Sequence, residues 1–128
     1  MFIVISTKTK RNILPIIVKF RDLGLKIFAT EHTADFLVKN GIDSISLYKI
    51  GEPNRKPNLE DYLVNGDLDL IINIPMTKGD KSMKDIIEDE YLIRRKAVEL
   101  GVPVLTTVEG SEVFVNGLER LENNSLTI

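Results

Sequence analysis

Leu25-Lys-Ile-Phe-Ala-Thr30-Glu-His-Thr33-Ala-Asp-Phe-Leu37 is the stretch that decides the fold of this chain. An apolar run typical of a buried strand ends at Thr30, and Thr33 opens an amphipathic helix three residues later. A strand that leads directly into a helix brings together backbone N–H groups, two hydroxyls and the positive end of a helix dipole, which can seat a phosphate or carboxylate. Threonine is also a common helix cap, and both roles fit this segment taken alone.

The same alternation of strand and helix runs through the rest of the chain. Continuous apolar runs predict strands at residues 2–5, 25–29, 69–73 and 102–105, and an alternating pattern predicts a further strand at residues 44–48. Helical spacing of apolar residues predicts helices at residues 10–23, 33–40, 59–64, 88–100 and 111–121. Strands that are apolar on both sides and alternate with helices predict an α/β fold, a three-layer, doubly wound parallel sheet.

Length and charge narrow the functional classes. The 128 residues suffice for one domain, which we place at residues 1–121, followed by a loose polar tail at residues 122–128. The net charge of −2 gives no overall attraction for nucleic acid or an anionic membrane. Any anionic ligand must therefore be met by a local cluster of basic residues.

Residue types and apolar runs exclude further classes. The sequence has no cysteine and one histidine, which excludes a thiolate zinc site or a multi-histidine metal site, and we expect no cofactor. No apolar run is long enough to span a membrane, and the first residues do not form a secretory leader. We therefore expect a cytoplasmic protein without membrane association.

Polar residues gather where the predicted strands end. In a doubly wound sheet the ligand crevice lies beyond the carboxyl ends of the strands. The candidate binding residues at or near these ends are Thr7, Lys10, Thr30, Thr33, Lys49, Asn73 and Lys78. Hydroxyls, amides and one or two lysines would recognise a phosphomonoester, although each lysine alone is also typical of a solvated surface charge. Glycine-rich dinucleotide motifs and Walker motifs are absent from the sequence.

Four motifs stand in the order and approximate spacing of one known family. They are Ile27-Phe-Ala-Thr-Glu-His-Thr-Ala34, Gly66-Asp-Leu-Asp-Leu-Ile-Ile-Asn-Ile-Pro75, Tyr91-Leu-Ile-Arg-Arg-Lys-Ala97 and Val102-Pro-Val-Leu-Thr-Thr107. Over residues 2–121 the chain resembles the methylglyoxal synthase-like fold, most closely the C-terminal allosteric domain of the carbamoyl phosphate synthetase large subunit. This resemblance implies a five-stranded parallel sheet with the strand order 3-2-1-4-5.

The resemblance also implies an effector pocket and its partners. Matched by position, the pocket residues are Lys10, Thr30, Thr33, Lys49 and Asn73. The effector would be a small anion of the uridylate, inosinate or N-acetylglutamate class, and it would regulate a synthetase of pyrimidine and arginine biosynthesis. A lysine at position 49 is a feature that resembles the nucleotide-regulated members of the family. The Ala-Thr-Glu-x-Thr and Ile-Asn-x-Pro motifs instead resemble the acetylglutamate-regulated members. Partners would be the other synthetase domains and the glutaminase subunit.

Two alternatives remain at this level. The first is a stand-alone methylglyoxal synthase-like lyase acting on dihydroxyacetone phosphate, which needs a carboxylate base. The family's enzymes carry aspartates after strands 3 and 4, where this chain has Gly51-Glu-Pro53 and Asn73-Ile-Pro75, so that Glu52 is the substitute candidate. We therefore expect a domain that is not catalytic by itself, in a parent resembling an ATP-dependent ligase. The second alternative is a domain that contacts only other proteins.

Overall fold

The strands pair into one parallel sheet. The computed structural model describes residues 2–7, 12–52, 54–74 and 83–126. The strands are β1 (Phe2–Thr7), β2 (Lys26–Thr30), β3 (Ile45–Leu47), β4 (Leu70–Ile74) and β5 (Val104–Leu105). All neighbouring strands are parallel, in the order β3-β2-β1-β4-β5. The predicted fold class and strand order are both confirmed.

Helices cover the two faces of this sheet. They are α1 (Leu14–Asp22), α2 (Glu31–Lys39), α3 (Leu59–Val64), α4 (Met83–Leu100) and α5 (Val108–Leu126). Helices α1, α2 and α5 pack on the face that carries Ile5 and Ile72, whereas α3 and α4 pack on the face that carries Phe28 and Ile71. The chain steps from β1 outward to β3 and then returns to β4 and β5. Because crossovers are right-handed, this reversal places the two sets of helices on opposite faces.

Glycines turn the chain from helix into strand at the amino edge of the sheet. After α1, Gly24 adopts φ +88°, and the Leu25 N–H donates to the Phe20 carbonyl at 3.2 Å. After α4, Gly101 adopts φ +72°, and the Val102 N–H donates to a carbonyl in the last turn of α4 at 2.9 Å. Both are helix ends of the Schellman type, which favours glycine at the left-handed position. These junctions occupy the amino edge and leave the opposite edge to polar residues.

Helix bounds differ from the prediction in four of the five helices: among them, α2 begins at Glu31 rather than at residue 33, and α5 begins at Val108 rather than at residue 111. Helix α1 begins at Leu14 rather than at residue 10, with Pro15 in its first turn. Helix α4 begins at Met83 rather than at residue 88, because the prediction extended the preceding polar loop past Met83, Ile86 and Ile87, which stand at helical spacing. Helix α5 extends to Leu126, so residues 122–126 are helical where a loose tail was predicted. The division of the chain at residue 121 stays a prediction.

Candidate functional site

The strand register aligns polar positions across the carboxyl edge of the sheet. Ile5 pairs with Ala29, so the next residues of the two strands, Ser6 and Thr30, are neighbours. Ser6 also pairs with Asn73 of β4. Thr30 and Asn73 therefore flank β1 on its two sides, about 10 Å apart at Cα, which is two strand spacings. The order of the strands reverses between β1 and β4, and ligand crevices in doubly wound sheets form at this point.

The side chains of Thr30 and Asn73 project from the same face of the sheet. Alternation along a strand gives Thr30 the face of Phe28, and gives Asn73 the face of Ile71. Phe28 and Ile71 belong to one buried cluster, which also contains residues of α3 and α4. Both candidate side chains are therefore directed toward the layer formed by α3 and α4.

Asn73 is a buried amide whose hydrogen bonds are not made by the protein. Its side chain is 0% exposed, and within the described ranges neither Nδ2 nor Oδ1 has a hydrogen-bond partner. Buried polar groups in proteins are nearly always bonded, and leaving one unsatisfied costs about 1–3 kcal/mol. An unsatisfied carboxamide at the end of a central strand is a place where a ligand would supply the missing partners.

Helix α2 begins at the same edge. Thr30 is its N-cap residue, in an extended conformation, and the Thr30 side chain makes no capping hydrogen bond to the described first turn. Thr30 is thus at the cap position without the side-chain bond of a helix cap, and its role in binding an anion stays a prediction. Thr30 and Thr33 are both buried, and the N-terminus of α2 carries the positive end of the helix dipole at this position.

Lys49 follows β3 at the carboxyl edge and is half-buried. The residue before it, Tyr48, forms a parallel bridge with Asn58.

Glu52, the candidate for a substitute base, has its Oε2 at 3.5 Å from Nη1 of Arg55. The Arg55 guanidinium in turn lies 4.3 Å from the centroid of the Tyr48 ring. Arg55 is thus held between an aromatic face and the Glu52 carboxylate, which is engaged in an ion pair.

Three of the predicted site residues cannot be placed with their side chains. Lys10 and Lys78 lie outside the described residues. Thr7 ends β1 and pairs with Ile74, but its side chain also lies outside what is described. The structure therefore brings Thr30, Thr33 and Asn73 to one edge, and places Lys49 after the strand next to Thr30. Binding by any of the seven candidates stays a prediction.

Sequence reasoning missed Asn58. This side chain is 1% exposed, and its Nδ2 donates to the carbonyl oxygens of Lys49 at 2.7 Å and Glu52 at 2.9 Å. Its Oδ1 accepts from the Glu60 N–H at 2.9 Å and so caps α3. An asparagine directly before a helix is a capping signal that could have identified the third contact, with the Glu60 N–H. The first two depend on the path of the loop, which no local pattern encodes.

Two other kinds of feature, a metal site and a membrane-spanning helix, are not found in the described parts of the chain. There, no group of three or more histidine, cysteine, aspartate or glutamate side chains is arranged to hold a metal ion. Nor does any described helix combine the length and apolar character needed to cross a membrane.

Comparison with known proteins identifies the family. A family model described as the MGS-like domain matches residues 12–106. The carbamoyl phosphate synthase large chain of Archaeoglobus fulgidus is 37% identical over 129 residues, covering 100% of this chain and 11% of that protein. The C-terminal section of the carbamoyl phosphate synthase large chain of Methanocaldococcus jannaschii is also 37% identical over 129 residues, covering 100% of this chain and 20% of that protein. The chain thus spans a small part of the length of these relatives.

A solved structure agrees with this assignment at the level of the fold. The structure described as "Crystal structure of ForH" matches with a TM-score of 0.67 and 19% identity, over 94% of this chain and 80% of that chain. An identity this low supports the fold alone. The family-model match and the sequence relatives go further, and they confirm the resemblance found in the sequence. The chain belongs to the MGS-like domain family and is homologous to the C-terminal domain of the carbamoyl phosphate synthase large chain.

Proposed function

We propose that this chain is an effector-binding domain that holds a small phosphate- or carboxylate-bearing molecule at the carboxyl edge of its sheet. The observation that carries the proposal is the buried, unsatisfied carboxamide of Asn73, at the same edge of the sheet as the start of α2. In a carbamoyl phosphate synthetase, such binding would regulate carbamoyl phosphate synthesis through the other synthetase domains and the glutaminase subunit. The effector classes are those that the resemblance implies, namely uridylate, inosinate and N-acetylglutamate.

The chemistry of the site favours a ligand with both an anionic group and a hydrogen-bond donor. The N-terminus of α2 and the ammonium of Lys49 favour negative charge, and threonine hydroxyls can donate to its oxygens. The Oδ1 of Asn73 can only accept, so the ligand must also carry a hydroxyl or an N–H. The ribose of a nucleotide and the amide of N-acetylglutamate both meet this requirement. The proposed set of binding residues also includes Lys10, Thr7 and Lys78.

The proposal is binding rather than catalysis, because the described surroundings of Glu52 show no carboxylate prepared as a base. A lyase acting on dihydroxyacetone phosphate needs a carboxylate poised to accept a proton from the substrate. In the described loop after β3, the Glu52 carboxylate contacts Arg55 instead. The proposal is therefore a domain that binds its anion without transforming it.

A thermal-shift panel tests the proposed function. Uridylate, inosinate, N-acetylglutamate and inorganic phosphate are compared with sodium chloride at matched ionic strength. A true effector at a hundredfold its dissociation constant should add about 2.7 kcal/mol of stability. Stabilisation by none of the four contradicts the proposal. Formation of methylglyoxal from dihydroxyacetone phosphate would instead establish the lyase.

Substituting Lys49→Ala or Thr30→Ala is expected to weaken effector binding by about 1–3 kcal/mol without unfolding the domain. Each change removes a hydrogen bond or charge that contacts the anion, and bonds to charged groups fall in this range. Titration calorimetry with the panel ligand that stabilises the protein measures the effect. Lys39→Ala is the matched control, because it removes the same charge from the far end of α2. Wild-type affinity in both variants would place the pocket elsewhere.

A further inference from the structure

Two asparagines are buried among the side chains that the structure describes; one of them makes no hydrogen bond there and the other makes three. Asn73 has no partner among the described residues, whereas both ends of the Asn58 carboxamide are bonded. Asn58 is thus a structural amide, and its partners show what it holds. It spans from the end of β3, through the loop that follows, to the first turn of α3.

The contacts of Asn58 converge on the backbone around Lys49. The Lys49 carbonyl accepts two hydrogen bonds, from Asn58 Nδ2 at 2.7 Å and from the Glu52 N–H at 3.0 Å. One residue earlier, Tyr48 donates to the Pro57 carbonyl at 2.7 Å and accepts from the Leu59 N–H at 2.9 Å. A carbonyl oxygen has two lone pairs, so the Lys49 carbonyl is saturated. The chain is therefore fixed where the Lys49 side chain begins.

We propose that Asn58 is the positioning residue of the candidate site, holding the Lys49 backbone so that the ammonium group is presented to the effector anion. This inference rests on the proposed function, because it assigns Lys49 to that site. A lysine on a fixed backbone loses less conformational freedom on binding than one on a free loop, and preorganisation of this kind strengthens binding. Asn58 itself does not contact the ligand.

The test separates the two ends of the Asn58 amide. Asn58→Ser retains an oxygen that can cap α3, but it is too short to reach both carbonyl groups of the loop. We expect amide hydrogen exchange at Glu52 to rise about tenfold, and affinity for uridylate or N-acetylglutamate to fall about tenfold, since both depend on the same fixed turn. Asn58→Asp, which also keeps the acceptor and loses the donors, is a second variant. Val115→Ala destabilises the opposite face of the sheet and controls for a general loss of stability.

A double-mutant cycle shows whether Asn58 acts through Lys49. In the Lys49→Ala background, Asn58→Ser should change affinity by less than about twofold, because the side chain it positions is gone. An equal loss in both backgrounds, or wild-type affinity in Asn58→Ser, overturns the proposal. If the wild-type protein binds neither uridylate nor N-acetylglutamate, the proposed function fails. The exchange measurement then still tests whether Asn58 fixes the loop. Faster exchange at Glu52 supports the fixing of Lys49, and unchanged exchange contradicts it.

Discussion

Asn73→Leu is expected to make the ligand-free protein more stable by about 1–3 kcal/mol and to abolish effector binding. The free protein leaves both polar atoms of this buried side chain without a partner in the described structure, and that unpaired state is costly. Leucine has the same number of side-chain heavy atoms with the same branching and no polar atom to satisfy. Urea unfolding without ligand measures the first effect, and titration calorimetry measures the second.

The same substitution at the other buried asparagine is the matched control. Asn58→Leu removes three hydrogen bonds, two to carbonyl oxygens and one from an N–H, so it should lower stability. Opposite signs at Asn73 and Asn58 would separate an amide reserved for a ligand from one that serves the fold. A loss of stability in Asn73→Leu would contradict the assignment of Asn73 to the ligand. Gains in stability at the expense of function are common at binding sites.

Phe20→Ala is expected to lower the free energy of unfolding by about 3–5 kcal/mol. The Phe20 side chain is fully buried in the cluster between the sheet and helices α1, α2 and α5, and its ring centroid lies 6.4 Å from that of Phe114. Alanine would leave a cavity that this packed layer can only partly close. Urea unfolding measures the loss. Because Phe20 lies in the last turns of α1, away from the carboxyl edge, effector affinity of the folded protein should not change.

An exposed residue provides the control for this value. Val98 is 77% exposed on α4, so Val98→Ala should change stability by less than about 0.5 kcal/mol. A loss below about 1 kcal/mol for Phe20→Ala would mean that this layer repacks without a lasting cavity. A loss of affinity in Phe20→Ala would mean that the site depends on the opposite end of α1.

The architecture could be predicted because its strands are buried on both faces. Residues 70–74 are apolar except for Asn73, and such a run has few alternatives to a central parallel strand. The helix starts were harder to predict, as α4 shows, because its first turns interleave the apolar residues Met83, Ile86 and Ile87 with charged ones. Helix propensity and the capping of backbone groups set such bounds, and both are weak signals in a single sequence.

The candidate site could be predicted in part. Thr30 and Asn73 are found by a general rule, since polar residues that end parallel strands meet at one edge of the sheet. The role of Asn58 could not be predicted, because its carbonyl partners lie six and nine residues earlier in an irregular loop. Its position before α3 indicates only the cap. Local sequence patterns predict local hydrogen bonds, whereas the hydrogen bond from Asn58 to the Lys49 carbonyl depends on the folded path of the loop.

The two outermost strands give the sheet a further property. β3 is three residues long and β5 is two, and the chain after β3 is bonded along its outer side to the segment before α3. Short edges of this kind offer few unpaired backbone groups on which another molecule could add a strand. The sheet is therefore a poor template for fibril growth. A neighbouring domain is more readily accommodated on the helices and loops than by extension of the sheet.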